Sequence, residues 1–139
     1  MEEKRALYIF VTAIFVDLLG PPTALLSVLL VCIGLDYFTG VLRAAYERQL
    51  SSRVGARGII KKIGYLSAVA LAHQFDLWLG TGDEIRSLSV SLFIANEGWS
   101  NIENLAAIGI GFPKPVLDKV RSIMANAGKE VSTNNEDRT

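Results

Sequence analysis

Apolar residues dominate two stretches at the start of the chain, Ala6–Leu19 and Pro21–Leu42, each interrupted by a single charge, Asp17 and Asp36. Neither shows the alternation of a half-buried strand, and both read as helices apolar on all sides. Gly20-Pro21-Pro22 separates them, and Pro22 suits the first turn of the second helix, where a missing N–H costs nothing. A third apolar helix is expected from Ile63 to Leu79 and a fourth from Ile85 to Ile108, joined by Gly80-Thr81-Gly82-Asp83-Glu84. Gly109 to Pro115 ends the fourth. From Pro115 to Ala127, Val116, Leu117, Val120, Ile123 and Met124 recur at helical spacing, which predicts a short amphipathic helix. Gly128 to Thr139 is polar and expected to be a disordered tail.

The fourth helix differs from the others. At ~100° per residue, Asn96, Glu97, Ser100, Asn101, Glu103 and Asn104 fall within an arc of roughly 160°, while Ala95, Gly98, Trp99, Ile102, Leu105 and Ala106 take the opposite side. A polar stripe of this kind beside membrane helices has two readings. It lines an aqueous lumen, or it docks on other helices or on the membrane surface, and the two can hold at different stages of assembly.

Composition favours a membrane for the apolar stretches. The chain has 139 residues, half of them apolar, with a mean hydropathy of +0.34. So short a chain has too little polar surface to cover several all-round apolar helices. The fold class expected is therefore all-α: a small polytopic membrane protein with three or four transmembrane helices. The uncertainty lies in the first helix, whose 14 residues reach ~21 Å against a hydrocarbon core of ~30 Å. Snorkelling by Lys4 and Arg5 would lengthen it; lying flat in the interface would leave three spans. It lacks an Ala-x-Ala-like cleavage site and is read as retained.

Net charge is zero, but its placement is uneven. Arg43, Arg48, Arg53, Arg57, Lys61 and Lys62 stand against Glu47 in the connection after the second helix, where Gly55 and Gly58 suggest a turn or broken helix. By the positive-inside rule this connection is cytoplasmic. Attraction to anionic lipid accounts for the charge without invoking nucleic acid. With four spans both termini are then cytoplasmic.

Few residues could carry chemistry. Asp36, near Thr39, is a carboxylate inside an apolar helix, read either as an ion pair with the basic connection or as an interhelix contact fixing an oligomer. His73 and Asp76 share a helix face as a buried hydrogen-bonded or water-facing pair. With one histidine and one cysteine, Cys32, no disulfide and no usual zinc set closes, and no cofactor is expected. Glu97 and Glu103 have no nucleophile or phosphate loop beside them, so an enzyme is not expected.

Three stretches, Asp36-Tyr37-Phe38-Thr39-Gly40, Ser51 to Lys62, and Ile94 to Asn104 followed by Gly109 and Pro113-Lys114-Pro115, resemble the toxin-secretion/phage-lysis holin family, which includes clostridial toxin-release holins. The resemblance covers about Leu25 to Leu117 and departs at Trp99 and Asn101. It implies a phage-encoded, multi-pass protein of the host cytoplasmic membrane that accumulates as a homo-oligomer in the lipid bilayer. Such proteins open lesions at a set time, through which a cytoplasmic endolysin escapes to the cell wall; some relatives release toxins. An antiholin-like adaptor and a small ion-channel subunit are the alternatives.

Overall fold

The computed structural model describes residues 1–136. It contains five helices and, among the described residues, no strand: α1 (Glu2–Leu19), α2 (Ala24–Tyr46), α3 (Ser52–Leu79), α4 (Glu84–Ala107) and α5 (Lys114–Glu136). At 18 residues, α1 is longer than its apolar stretch alone, and its length of ~27 Å approaches the hydrocarbon thickness. It ends at Gly20, whose φ of +80° only glycine adopts without strain and whose N–H donates to the Val16 carbonyl at 2.8 Å.

Two local expectations require correction. Pro22 does not open α2. Thr23 does the capping instead, its side chain accepting from the Leu26 N–H at 3.2 Å, so both prolines lie outside the helix. The basic connection is also no broken helix. It is short, with Arg48 at φ 55°, and α3 runs unbroken through Gly55 and Gly58. The two glycines lie against Tyr37, which a Cβ at Gly55 would approach to 3.8 Å and one at Gly58 to 3.9 Å. Both are ordinary contact distances, so the packing against α2 does not itself demand glycine at either position. α5 begins within a residue of expectation and extends to Glu136, over residues expected as a polar tail. Residues 137–139 of that tail lie outside the described residues.

α2, α3 and α4 form the body of the molecule; α1 packs on α3, and α5 on α4. α3 turns Gly55, Gly58, Lys62, Tyr65, Val69, Ala72, His73 and Asp76 inward, spaced three or four apart as one face of a helix requires. Leu26 and Leu29 of α2, Val69 of α3 and Val90 of α4 make a small apolar layer, with Ile33, Phe93 and Ile94 around it. Tyr65 stacks on Phe93 with ring centroids 4.4 Å apart.

The distribution of polarity is the reverse of a water-soluble bundle. Among the described residues the fully buried apolar side chains are Leu26, Leu29, Val69, Ala72 and Val90, whereas Thr39, Lys62, His73, Asp76, Arg86, Glu97 and Asn104 are buried polar ones. The outside carries Leu7, Phe10, Phe15, Leu30, Val31, Phe38, Leu71 and Trp78. Water would penalise such a surface; lipid does not. Among the described residues only α2 is long and apolar enough to qualify as a span by length and composition. α3 and α4 fall short because charged and amide residues, some inward and some outward, interrupt their apolar runs.

Candidate functional site

The polar stripe of α4 divides in two. Glu97, Asn101 and Asn104, at i, i+4 and i+7, point into the bundle; Glu97 has no exposed surface and Asn104 is buried. Asn96 and Glu103 face outward, and Ser100 lies between the two edges. The inner edge meets the two polar residues of α2 and one basic residue of α3. Lys62 Nζ donates to Asp36 Oδ2 and to Glu97 Oε2, tying three helices together. Thr39 Oγ1 donates to Asn101 Oδ1 at 3.1 Å. Asn101 Nδ2 donates to the Cys32 carbonyl at 3.1 Å and to the Glu97 carbonyl at 2.8 Å. Asn104 Nδ2 lies 3.2 Å from both Asp36 Oδ1 and Thr39 Oγ1.

The network has physical logic in a low-dielectric setting. A lone carboxylate or ammonium inside a bilayer costs about 2.5–3.5 kcal/mol or more, and pairing offsets much of that. Asp36 is paired with one of the basic residues of its connection, but inside the bundle rather than at its surface. The match is incomplete: two carboxylates share one ammonium, and Glu97 Oε1 has no partner among the described residues. A groove of about 630 Å³ between α2 and α3 reaches the network, with Asp36, Lys62, Ser100 and Asn104 on its polar wall and Gly40 and Gly55 among its small lining residues.

The other basic residues stay outside. Arg43 pairs with Glu47 at 3.0 Å, and Arg48, Arg53 and Arg57 are exposed. Lys61 lies 5.4 Å from the Tyr65 ring centre, a cation over an aromatic face. Lys61 and Lys62 are adjacent in sequence, yet the turn of ~100° between them leaves Lys61 exposed and Lys62 buried.

A second polar layer closes the opposite end. Asp76 accepts from the backbone N–H of Ile85 at 2.9 Å and of Arg86 at 2.8 Å, and from Thr81 Oγ1 at 2.6 Å. A carboxylate at the N-terminus of α4 meets both orphan donors and the positive end of the helix dipole. His73 is therefore no hydrogen-bond partner of Asp76: the carboxylate is engaged elsewhere, and His73 Nδ1 has no partner among the described residues. Arg86 was not expected at all. It is 2% exposed, and its guanidinium donates to the carbonyls of Leu19 at 2.8 Å and Pro21 at 3.0 Å and to Asp83 at 2.7 Å. A Cβ at Gly20 would sit 1.9 Å from Arg86 Nη1, so the glycine also makes room for the arginine. The available signal was a single basic residue at the start of an apolar helix; its destination across 65 residues of sequence was not visible.

Trp99, one of the two departures noted above, takes the outer side, donating to Glu103 at 2.9 Å with the Arg121 guanidinium 5.2 Å from its ring centre. Asn101, the other, is the residue that links α4 to the α2 backbone. Among the described residues no group of three or more metal-ligating side chains is placed to hold an ion.

Comparison with known proteins places the sequence in a family. Residues 13–125 match the model of the bacteriophage holin family. A probable holin of Bacillus phage phi105 is 33% identical over 98 residues, 70% of this chain and 73% of that protein. An uncharacterized protein of Listeria monocytogenes is 37% identical over 125 residues, 90% of this chain and 89% of its own length. An uncharacterized 14.9 kDa protein of Clostridium perfringens is 37% identical over 99 residues, 70% of this chain and 75% of its own. No solved structure matches. The family match takes in all of α2, α3 and α4 and hence both polar layers, and the chain belongs to the bacteriophage holin family, which implies a protein of the cytoplasmic membrane.

Proposed function

We propose that this chain is a phage holin that accumulates in the host cytoplasmic membrane, associates with copies of itself and forms lesions through which a cytoplasmic endolysin reaches the cell wall. It works as a three- or four-span protein by a physical mechanism, without a catalytic residue or cofactor. Asp36, Thr39, Lys62, Glu97, Asn101 and Asn104 are the groups whose partners change; Asn96, Ser100 and Glu103 extend the polar face once α4 is released.

The observation that carries this reading is the burial of the α4 polar face against α2 and α3 in a bundle with an apolar exterior. In lipid an interhelical polar contact is worth on average only ~0.6 kcal/mol. Exchanging an internal partner for one on another copy is then nearly neutral for each contact. The exchange becomes favourable as copies crowd, and a ring of released α4 helices presents its polar faces to water. Glu97 Oε1, buried without a partner, gains from that exchange. The described bundle is on this reading the resting subunit.

The test is reconstitution into vesicles loaded with a small dye and a folded protein of endolysin size. Above a threshold density both cargoes are expected to escape together. Escape of the dye alone would mean a narrow ion channel, and retention of both despite confirmed insertion would mean an antiholin-like adaptor.

A further inference from the structure

α5 leaves the bundle at the same end as the basic α2–α3 connection, because Gly40 of α2 faces Asn104 of α4 there, a Cβ at Gly40 lying 3.6 Å from the Asn104 amide. Among the described residues its packing partner is α4. Leu117, Val120 and Met124 are half-buried, but Val116 and Ile123 are exposed, as is Phe112 just before the helix. On the helix Val116, Val120 and Ile123 occupy an arc of about 60°. Lys119 borders that arc about 40° beyond Ile123, and Arg121 and Lys114 border the wider apolar face on its other side. Asp118 lies opposite the arc. All four charged side chains are exposed.

An apolar ridge edged by cations, with its acid on the far side, fits a surface that is apolar below and anionic at its rim. We infer that α5 lies along the lipid surface on the side of the basic connection, with Val116 and Ile123 inserted among acyl chains and Lys119, Lys114 and Arg121 against anionic phospholipid headgroups. A second copy of the chain fits less well, because pairing two such faces would bring their like-charged borders together. Arg121, beside Trp99, links this surface helix to α4. The inference rests on the membrane placement proposed above, though not on lesion formation.

Full-length protein carrying Cys32→Ala and a single environment-sensitive label at Ile123→Cys or at Ala125→Cys, on the opposite side of α5, would be reconstituted in phosphatidylcholine vesicles with and without an equal part of phosphatidylglycerol. A lipid-borne quencher is expected to reach the label at position 123 and not the one at 125. Phosphatidylglycerol should strengthen the quenching and salt weaken it. Lys119→Ala should weaken docking about fivefold, the factor that one basic residue at an anionic surface implies. Equal quenching at the two positions, or quenching indifferent to phosphatidylglycerol, overturns the inference. So does a label at 123 that is hidden from lipid and crosslinks copy to copy, which would assign the face to a second subunit. Leakage of protein cargo, read from the same vesicles, reports on the holin reading separately. Docking without leakage removes that reading and leaves the surface helix standing, and leakage without docking does the opposite.

Discussion

Lys62 carries the only ammonium placed between Asp36 and Glu97 among the described residues, and it is buried. Removing one partner of a buried pair costs about 3–5 kcal/mol, since the charge left behind has no water to turn to. Here two carboxylates would be left facing each other. Lys62→Met is therefore expected to lower the unfolding midpoint in detergent sharply, and Glu97→Gln in the same chain to recover part of the loss. A Lys62→Met protein as stable as the parent would mean that the three groups do not share one site. Sequence alone marked Asp36, Glu97, Asn101 and Asn104 as polar groups out of place in apolar helices. It marked Lys62 only as one of six basic residues, because nothing local separates it from Lys61. What does separate them is the direction each takes on α3, fixed by Gly55, Gly58, Val69 and Asp76 on the same face.

At the scale of elements, α4 is held by α2 through Thr39–Asn101, Asp36–Asn104 and Asn101 to the Cys32 carbonyl, and by α3 through Lys62–Glu97. If lesions require α4 to release these partners, tethering it should block them. In a Cys32→Ala chain, Thr39→Cys with Asn101→Cys joined by a disulfide or the shortest bis-thiol reagent is expected to insert normally and release no cargo until a disulfide is reduced. Equal release from tethered and reduced protein would show that α4 stays in place. The helices themselves were largely legible, because runs of apolar residues separated by Gly-Pro-Pro and Gly-Thr-Gly leave few other readings. The unbroken start of α3 was not. Gly55 and Gly58 weaken a helix in isolation, and no local signal showed that the helix runs on through them. The stripe on α4 was legible as a stripe, but its direction was not, since its partners on other helices lie 35 to 69 residues away.

For the whole molecule, the proposed three- or four-span arrangement goes beyond the one helix that qualifies by composition among the described residues. α1, α2 and α4 reach ~27, ~34 and ~36 Å, near or above the hydrocarbon thickness. In a Cys32→Ala chain, cysteines placed singly at Gln49 and at Thr81 are expected to react with a membrane-impermeant thiol reagent from opposite sides, Thr81 from outside intact cells and Gln49 only after lysis. A cysteine at Glu3 sharing the behaviour of Gln49 means four spans; one sharing that of Thr81 means three. Labelling of Gln49 and Thr81 from one side would contradict the alternating arrangement of α2 and α3.

The most direct measurement is induced expression in bacteria with and without a cytoplasmic muralytic enzyme, following turbidity and membrane potential together. A holin predicts abrupt depolarisation in both cultures after a delay, with collapse of turbidity only where the enzyme is present. Depolarisation with no collapse in the enzyme-bearing culture would contradict the account, because the lesion would then pass ions and not protein.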